Sequence, residues 1–186
     1  IDKEGNKIKT WNFDSKLGND LELLADGSVI GIFKPDQTFF NFGGFGGVLK
    51  KYNLNGNLTW EYSINSENEL MHHDFTILPN GNILTLVWER VLLQDALDNA
   101  IKRESDLFAE KIVEINPLTN QIVWQWRSWE HRIQDQDKNL PNYGDVSLQF
   151  GKIDFNYNPK ENGDIMHANG IYYYFNNDLI YLSVNF

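Results

Sequence analysis

The chain has 186 residues, of which 41% are hydrophobic and 14% aromatic, so it holds enough apolar material for a buried core and is not a disordered chain. Its 26 acidic and 16 basic residues give a net charge of −10, which excludes the basic surface that nucleic-acid binding needs. Cysteine is absent, so disulfides and cysteine nucleophiles are excluded, and no apolar run reaches the roughly 20 residues of a membrane span.

The first recurring element is a strand, a polar turn and a second strand that ends in tryptophan. Copies occupy residues 48–62 and 111–126, and the opening segment IDKEGNKIKTWNF reads as a third copy. Equivalent strand positions would let a large flat ring fill the space between neighbouring sheets. The tryptophans at these positions are Trp11, Trp60 and either Trp124 or Trp126.

The second recurring element is an apolar strand, a short polar turn and another apolar strand. Its copies are LELLADGSVIGIF, DFTILPNGNILTLVW and NGIYYYFNNDLIYLSV. Asp26-Gly27 and Asn80-Gly81 are dipeptides typical of two-residue hairpin turns, because such turns need the positive φ that these residues tolerate. The pattern predicts β-hairpins.

The two kinds of hairpin alternate, and one of each makes a four-stranded antiparallel sheet. Such units repeated along a chain indicate a β-propeller. We therefore predict an all-β partial propeller domain over residues 1–186, with blades at about 18–63 and 71–127, a long insertion at 128–165 and the start of a further blade at 166–186. Because closed propellers have four to eight blades, the chain is expected to supply about two and a half of them.

Two insertions and a glycine run complete the chain. Residues 90–110 fit a short helix or a solvated loop equally well. The segment after residue 127 is too long for a simple blade connection, and loops of that size usually carry binding or active-site residues. The run GGFGG at 43–47 precedes a strand rather than a helix, so we interpret it as a glycine-rich turn and not a phosphate loop.

Histidines are concentrated where two inner strands begin. Aligning MHHD with MHAN matches His72 with His167 and Asp74 with Asn169, 95 positions apart in the chain. Inner strands line the central channel of a propeller, so the histidines are predicted to share one pocket. Adjacent strand residues point to opposite faces, which makes joint chelation by His72, His73 and Asp74 awkward, and we predict no metal site.

Four segments run in order from about Asn68 onward: HHDFTILPNGNIL, IVEINPLTNQIVWQWRSWEHRIQD, NYGDV and DIMHANGIYYYFNNDLIYLSV. Together they resemble the bacterial aryl-sulfate sulfotransferases that do not use the nucleotide sulfate donor. The resemblance implies a six-bladed propeller that moves a sulfuryl group from a phenolic sulfate to a phenol through a sulfohistidine, without a cofactor. It also implies a periplasmic or otherwise exported protein with small-molecule partners, and leaves open a homodimer or pairing with the rest of a propeller.

The resemblance assigns catalytic roles to four residues. His167 and Asn169 match the family's His-x-Asn pair, and His72 with His73 matches its upstream histidine. Such side chains suit the chemistry, because sulfuryl transfer, like phosphoryl transfer, passes through a loose transition state with charge on the equatorial oxygens and the departing phenolate. Imidazoles and an amide can donate hydrogen bonds to both.

Substrate binding is assigned to His131 and Asn185. His131 matches the family's Trp-Asp-His segment, with Glu130 in place of the acid. The family commonly carries an arginine where this sequence has Asn185 and Phe186, and its sulfated histidine lies in a later blade that is expected beyond Phe186. The alternative is a non-catalytic or quinoprotein-like propeller, because INPLTNQIVW also resembles the tryptophan-docking repeat of quinone-dependent dehydrogenases.

Overall fold

The computed structural model describes residues 1–157 and 162–185. Within them the regular structure is almost entirely β, which confirms the predicted all-β class. Two four-stranded antiparallel sheets and a further hairpin follow one another along the chain, in a propeller-like arrangement. No helix in the described part of the chain is long and apolar enough to cross a membrane.

The first sheet contains four strands in sequential order. They are β1 (Leu17–Leu23), β2 (Val29–Phe33), β3 (Val48–Tyr52) and β4 (Leu58–Ser63). Strand β2 is buried along its whole length, whereas β1 alternates between exposed and half-buried residues. The sheet is therefore most deeply buried along β2.

The second sheet repeats this plan with longer strands. They are β5 (Glu69–Ile77), β6 (Ile83–Val91), β7 (Leu107–Asn116) and β8 (Gln121–Arg127). Helix α1 (Leu93–Asp98) lies in the connection between β6 and β7, so the short-helix interpretation of this insertion is correct. Ala96 and Ile101 anchor the connection because both are fully buried.

The hairpin turns are wider than predicted. Leu24 N–H donates to the Ser28 carbonyl (2.8 Å) and Gly27 N–H donates to the Leu24 carbonyl (2.9 Å). In each turn only the glycine has a positive φ, 77° at Gly27 and 85° at Gly81. The two-residue prediction is wrong because Asp26 and Asn80 keep ordinary backbone angles, and the left-handed residue forms a glycine bulge at the end of a three-residue loop.

The segment after the second sheet has little regular structure until the third hairpin. It contains a 3-10 helix (Ser128–His131) and two short strands that pair in parallel. The strands are β9 (Arg132–Ile133) and β10 (Ile153–Asp154), and the hairpin that follows comprises β11 (Ala168–Tyr174) and β12 (Leu179–Val184).

Apolar residues join each sheet face to face with the next. Met71, Phe75 and Val87 of the second sheet pack on Ile30 and Ile32 of the first in one buried cluster. A separate cluster joins the opposite face of the second sheet, through Leu86 and Ile112, to Ala168 and Ile171 of the third hairpin. The second sheet is therefore enclosed between two neighbours, and β1 and β11 both contact β5.

Tryptophans lie at both of these interfaces. Trp60 packs on the cluster between the first and second sheets, and its indole N–H donates to Asn120 Oδ1 in the β7–β8 turn (2.7 Å). Trp126 packs on the cluster shared with the third hairpin. The tryptophan-ending strands thus supply contacts between sheets.

The opening segment does not form the third strand–turn–strand copy that the sequence predicts. Residues 1–16 contain no strand, since no described strand edge pairs with them. Aromatic packing holds the segment instead, because Phe13 contacts Phe33 and Tyr52 at ring-centroid distances of 5.1 and 5.0 Å. Similarity of sequence here is not matched by a ladder of backbone hydrogen bonds.

Candidate functional site

A β-bulge at the start of β5 places the first candidate histidine. His72 pairs with Leu86 and Phe75 pairs with Thr85, so His73 and Asp74 have no cross-strand partners of their own. His73 has a φ of 48°, a conformation that costs a non-glycine residue about 1–3 kcal/mol and persists only where the surroundings enforce it. The bulge turns the imidazole of His73 out of the strand's regular alternation.

The start of β11 repeats this backbone conformation. His167 has a φ of 47°, almost the value of His73, and the ladder is again irregular between Ala168 and Gly170. The sequence alignment pairs His167 with His72, whereas the backbone makes His73 its counterpart. The alignment and the backbone thus differ by one residue in the histidine of β5 that corresponds to His167.

The three histidines form one cluster. The rings of His73 and His167 meet edge to face with their centroids 4.7 Å apart. His73 Nδ1 lies 2.9 Å from His72 Nδ1, so the two neighbours share a hydrogen bond. His72 and His167 are therefore linked through His73 although they belong to different sheets.

Trp88 of β6 is the common packing surface of this cluster. Its indole stacks on His72 with centroids 3.8 Å apart and an interplanar angle of 11°, and it also contacts the rings of His73 and His167. Phe42 covers the indole edge to face at 5.2 Å. Trp88 is fully buried, and its N–H has no hydrogen-bond partner among the described residues.

A buried carboxyl group holds the inner end of the cluster. His72 Nε2 lies 2.8 Å from Oε1 of Glu110 on β7, and Ala168 N–H donates to Oε2 of the same carboxyl group (2.9 Å). Burial raises the pKa of Glu110 well above its ordinary value and lowers the pKa of His72 to about 3. The close pair is therefore neutral overall, with one proton between its two members.

A second acid holds His167. Nδ1 of His167 donates to Oδ2 of Asp164, three residues earlier in the chain. The other carboxylate oxygen of Asp164 is buried and has no partner within the described residues. The sequence analysis did not identify Asp164. A signal was present, because an acidic residue, Glu69, precedes His72 by the same three positions. Glu69 pairs with Lys111 instead (2.6 Å).

The glycine-rich turn fixes the ring of His73. Its backbone N–H donates to the Gly44 carbonyl (2.9 Å), and a Cβ atom added to Gly44 would lie 2.0 Å from Nε2 of His73. Gly44 also has a φ of 81°. Burial, followed by the neighbouring His72 and His167, lowers the pKa of His73 to about 4, so this imidazole is neutral near pH 7. The sequence predicted only a turn here.

Carboxylates line the inner strands next to the histidines. Asp74 accepts hydrogen bonds from Phe75 N–H (2.9 Å) and from Ile171 N–H of the third hairpin (2.7 Å). Burial and the nearby Asp74 raise the pKa of Asp20, and burial is also the first cause of the raised pKa of Glu22. Asp74 thereby ties the second sheet to the third hairpin beside the imidazoles.

The remaining predicted residues lie outside the cluster. Asn169 is exposed one position into β11, two residues after His167. Asn185 is also exposed, and its backbone N–H donates to the Met166 carbonyl (3.1 Å), which keeps it near His167. His131 stacks on Trp126 of the outer strand β8, with centroids 5.2 Å apart. Phe186 lies outside the described residues.

The Nε2 atoms of His73 and His167 determine which chemistry the cluster can perform. Neither His73 nor His167 uses Nε2 in a hydrogen bond within residues 1–157 and 162–185, whereas Nδ1 of each is engaged. No group of three or more histidines and carboxylates among these residues is arranged to hold a metal ion. The cluster therefore offers imidazole nitrogens for hydrogen bonding and proton transfer.

Comparison with known proteins gives the family of the chain. A search of curated proteins finds no match. The chain does match the arylsulfotransferase (ASST) family, and the match covers residues 1–185, so it reaches well upstream of the segments near Asn68 that carry the resemblance. Because essentially the whole sequence is matched, the chain belongs to the arylsulfotransferase (ASST) family.

Proposed function

We propose that the histidine cluster takes part in transfer of a sulfuryl group from a phenolic sulfate ester to a phenol through a sulfohistidine intermediate. Membership of the arylsulfotransferase family indicates sulfuryl transfer as the activity. The observation that carries the proposal is the pair of imidazoles from neighbouring sheets, 4.7 Å apart, each with Nδ1 fixed and Nε2 unassigned. The proposal gives these residues binding and proton transfer and leaves the sulfated nucleophile to a separate histidine.

His167 and Asn169 bind the sulfuryl oxygens in this proposal. When both ring nitrogens carry protons, His167 donates from Nδ1 to Asp164 and from Nε2 to a substrate oxygen. The Asp164 carboxylate balances the imidazolium charge, as the acid does in a catalytic triad. This charge compensates for the arginine that the family resemblance leads us to expect near Asn185.

His73 exchanges a proton with the phenolic oxygen. Its lowered pKa, about 4, keeps the ring neutral, so Nε2 carries either a proton or a lone pair depending on the tautomer. A neutral imidazole with a fixed Nδ1 can protonate a departing phenolate or accept a proton from an attacking phenol. His72 has a different role, because it is fully buried with both nitrogens engaged, so it acts on His73 and not on substrate.

Turnover of p-nitrophenyl sulfate by the protein tests the proposal. Release of nitrophenol that requires an added phenol acceptor indicates transfer, whereas acceptor-independent release indicates hydrolysis. In a protein that turns over, His167→Ala is expected to lower kcat/KM by about 10²–10³-fold, the usual loss when a donor to developing charge is removed. Full turnover by His167→Ala would show that this assignment is wrong.

The second candidate is a binding or quinoprotein-like propeller without sulfuryl transfer. The hydrogen bond from Trp60 to Asn120 fits this candidate, because it holds two neighbouring sheets together as a tryptophan-docking repeat does. A propeller that only binds gives no reason for the rings of His73 and His167, both with a positive φ, to be in contact. In a protein that includes the separate nucleophilic histidine, absence of nitrophenol release under all acceptor conditions would favour the binding module. Export, which the family resemblance implies, is a separate proposal that cell fractionation tests.

A further inference from the structure

A continuous series of hydrogen bonds leads from a buried carboxyl group to the half-buried imidazole of His73. It runs from Glu110 Oε1 to His72 Nε2 (2.8 Å), and from His72 Nδ1 to His73 Nδ1 (2.9 Å). Glu110 and His72 are both fully buried, and Trp88 stacks on the His72 ring, so water does not replace either bond. Within the described residues, Nε2 of His73 is the one imidazole nitrogen of this hydrogen-bonded series that has no assigned partner.

The direction of every hydrogen bond in the chain depends on one proton. When Glu110 is protonated, Oε1–H donates to His72 Nε2, His72 Nδ1–H donates to His73 Nδ1, and Nε2 of His73 carries a proton. When Glu110 is ionised, both hydrogen bonds reverse: His72 Nε2–H donates to Oε1 of Glu110, His73 Nδ1–H donates to His72 Nδ1, and Nε2 of His73 has a lone pair. Because Ala168 N–H already donates to Oε2, the carboxyl proton belongs on Oε1.

We propose that Glu110 is a positioning residue that, through the buried ring of His72, sets whether Nε2 of His73 donates or accepts a hydrogen bond. The inference rests on the proposed function for its catalytic meaning, but the relay itself is a property of the protein without substrate. The titratable groups that face the pair are His73, which contacts His72, and Asp164 and His167 from the segment that leads into β11.

Proton transfer along this chain balances over the two half-reactions. When the sulfuryl group moves from the donor ester to the separate nucleophilic histidine, its S–O bond to the phenol breaks and an S–N bond forms. His73 Nε2–H then gives its proton to the departing phenolate, His73 Nδ1 takes one from His72, and His72 Nε2 takes one from Glu110. Glu110 is then ionised. When the acceptor phenol attacks, its proton enters at His73 Nε2 and the same steps run in reverse, which returns the proton to Glu110. No net proton is gained or lost in the cycle.

Long-range proton–nitrogen NMR of histidine-labelled protein tests the relay without substrate. Near pH 7 we expect a proton on Nδ1 of His72 and on Nε2 of His73, and a joint switch of both rings as Glu110 ionises at higher pH. In Glu110→Gln the amide NH₂ donates to His72, so both rings should keep the first form at every pH above the pKa of His73, about 4. Separate switching, or no switching of the wild type before it unfolds, would overturn the proposal.

Leaving-group dependence supplies the kinetic test. Nitrophenolate is a good leaving group and needs little protonation, whereas phenolate needs more. Glu110→Gln should therefore lower kcat more for phenyl sulfate than for p-nitrophenyl sulfate, with an expected difference of about 10-fold or more. An equal loss with both esters would indicate a merely structural role and contradict the relay. If no sulfuryl transfer occurs but the rings switch together, the proposed function fails and the relay stands.

Discussion

The starts of β5 and β11 present histidines in the same backbone conformation but support them differently. His73 and His167 have φ values of 48° and 47°, and their rings touch. His167 bonds an acid directly, whereas His73 reaches an acid only through the buried ring of His72. Asp164 accepts a hydrogen bond from His167 directly, whereas burial lowers the pKa of His73 to about 4 and keeps that ring neutral. The two strand starts can therefore perform complementary tasks.

Replacement of Asp164 gives the largest expected effect, because it removes the direct support. In Asp164→Asn the imidazolium form of His167 loses its counter-charge, and we expect kcat/KM for p-nitrophenyl sulfate to fall by about 10²–10³-fold with a raised KM. Glu69→Gln is the matched control, since Glu69 precedes His72 by the same three positions but pairs with Lys111. Equal losses in both variants would remove the distinction between the strand starts.

The support of His73 can be disturbed from the opposite side. In Gly44→Ala the new Cβ would overlap Nε2 of His73 and the backbone would be strained at a φ of 81°, so the ring must move. We expect turnover to fall by roughly 10²-fold, as displacement of a reacting group by about 1 Å can produce. Gly43→Ala is the control, because a Cβ there meets nothing within 4 Å. A comparable loss in that variant would point to the turn and not the ring.

Stability as a function of pH sharpens the comparison further. Between about pH 4.5 and 6.5 an unfolded chain carries protonated histidines and ionised glutamates. In the native state His72 is neutral and Glu110 is protonated, so the pair binds one proton in either state and contributes no pH dependence there. His73, with its pKa lowered to about 4, leaves the native state short of a proton, so stability falls as the pH falls through this window.

Glu110→Gln should expose the hidden contribution of His72. Without the offset from Glu110, the unfolded chain takes up one more proton than the native state, which adds a slope of about 1.4 kcal/mol per pH unit to the acid loss of stability. Above pH 6.5 the sign changes, because the wild type alone loses stability as the pH rises through the raised pKa of Glu110. Urea denaturation followed by tryptophan fluorescence measures both slopes, and parallel curves for the two proteins would contradict a protonated Glu110.

The sequence predicted the sheets and the meeting of histidines because both depend on repetition. Turn dipeptides and tryptophan-ending strands recur, and residues at matching positions of neighbouring sheets converge. It paired the wrong histidines, since the bulge at His73 and Asp74 inserts residues without any change of amino-acid pattern. His72 and His167 are therefore the same residue type at aligned positions, but their side chains do not point in equivalent directions.

The supporting residues were harder to predict because their role depends on contacts between sheets. Glu110 follows Ala109 within a strand of mixed polarity, and nothing local distinguishes it from the neighbouring Lys111. One of its hydrogen-bond partners, the backbone N–H of Ala168, belongs to the next hairpin, which nothing in the local sequence indicates. Gly44 was recognised as a turn residue, but its proximity to an imidazole 29 positions later required the packed structure.

Replacement of His131 is expected to have the smallest effect on turnover, and it tests how far the site extends. The resemblance assigns His131 to substrate binding, but its ring stacks on Trp126 of β8. Across the sheet, Trp126 pairs with Ile112 of β7, and Ile112 pairs with Leu86 of β6. Leu86 in turn pairs with His72 of β5. Three strand spacings of about 4.8 Å thus separate the rings, roughly 14 Å in all. We expect His131→Ala to change turnover less than about twofold and to cost about 0.5–1.5 kcal/mol of stability from the lost stacking. A large loss of turnover at unchanged stability would instead show that the site extends across the sheet. At that distance His131 could affect turnover only by contacting the bound substrate.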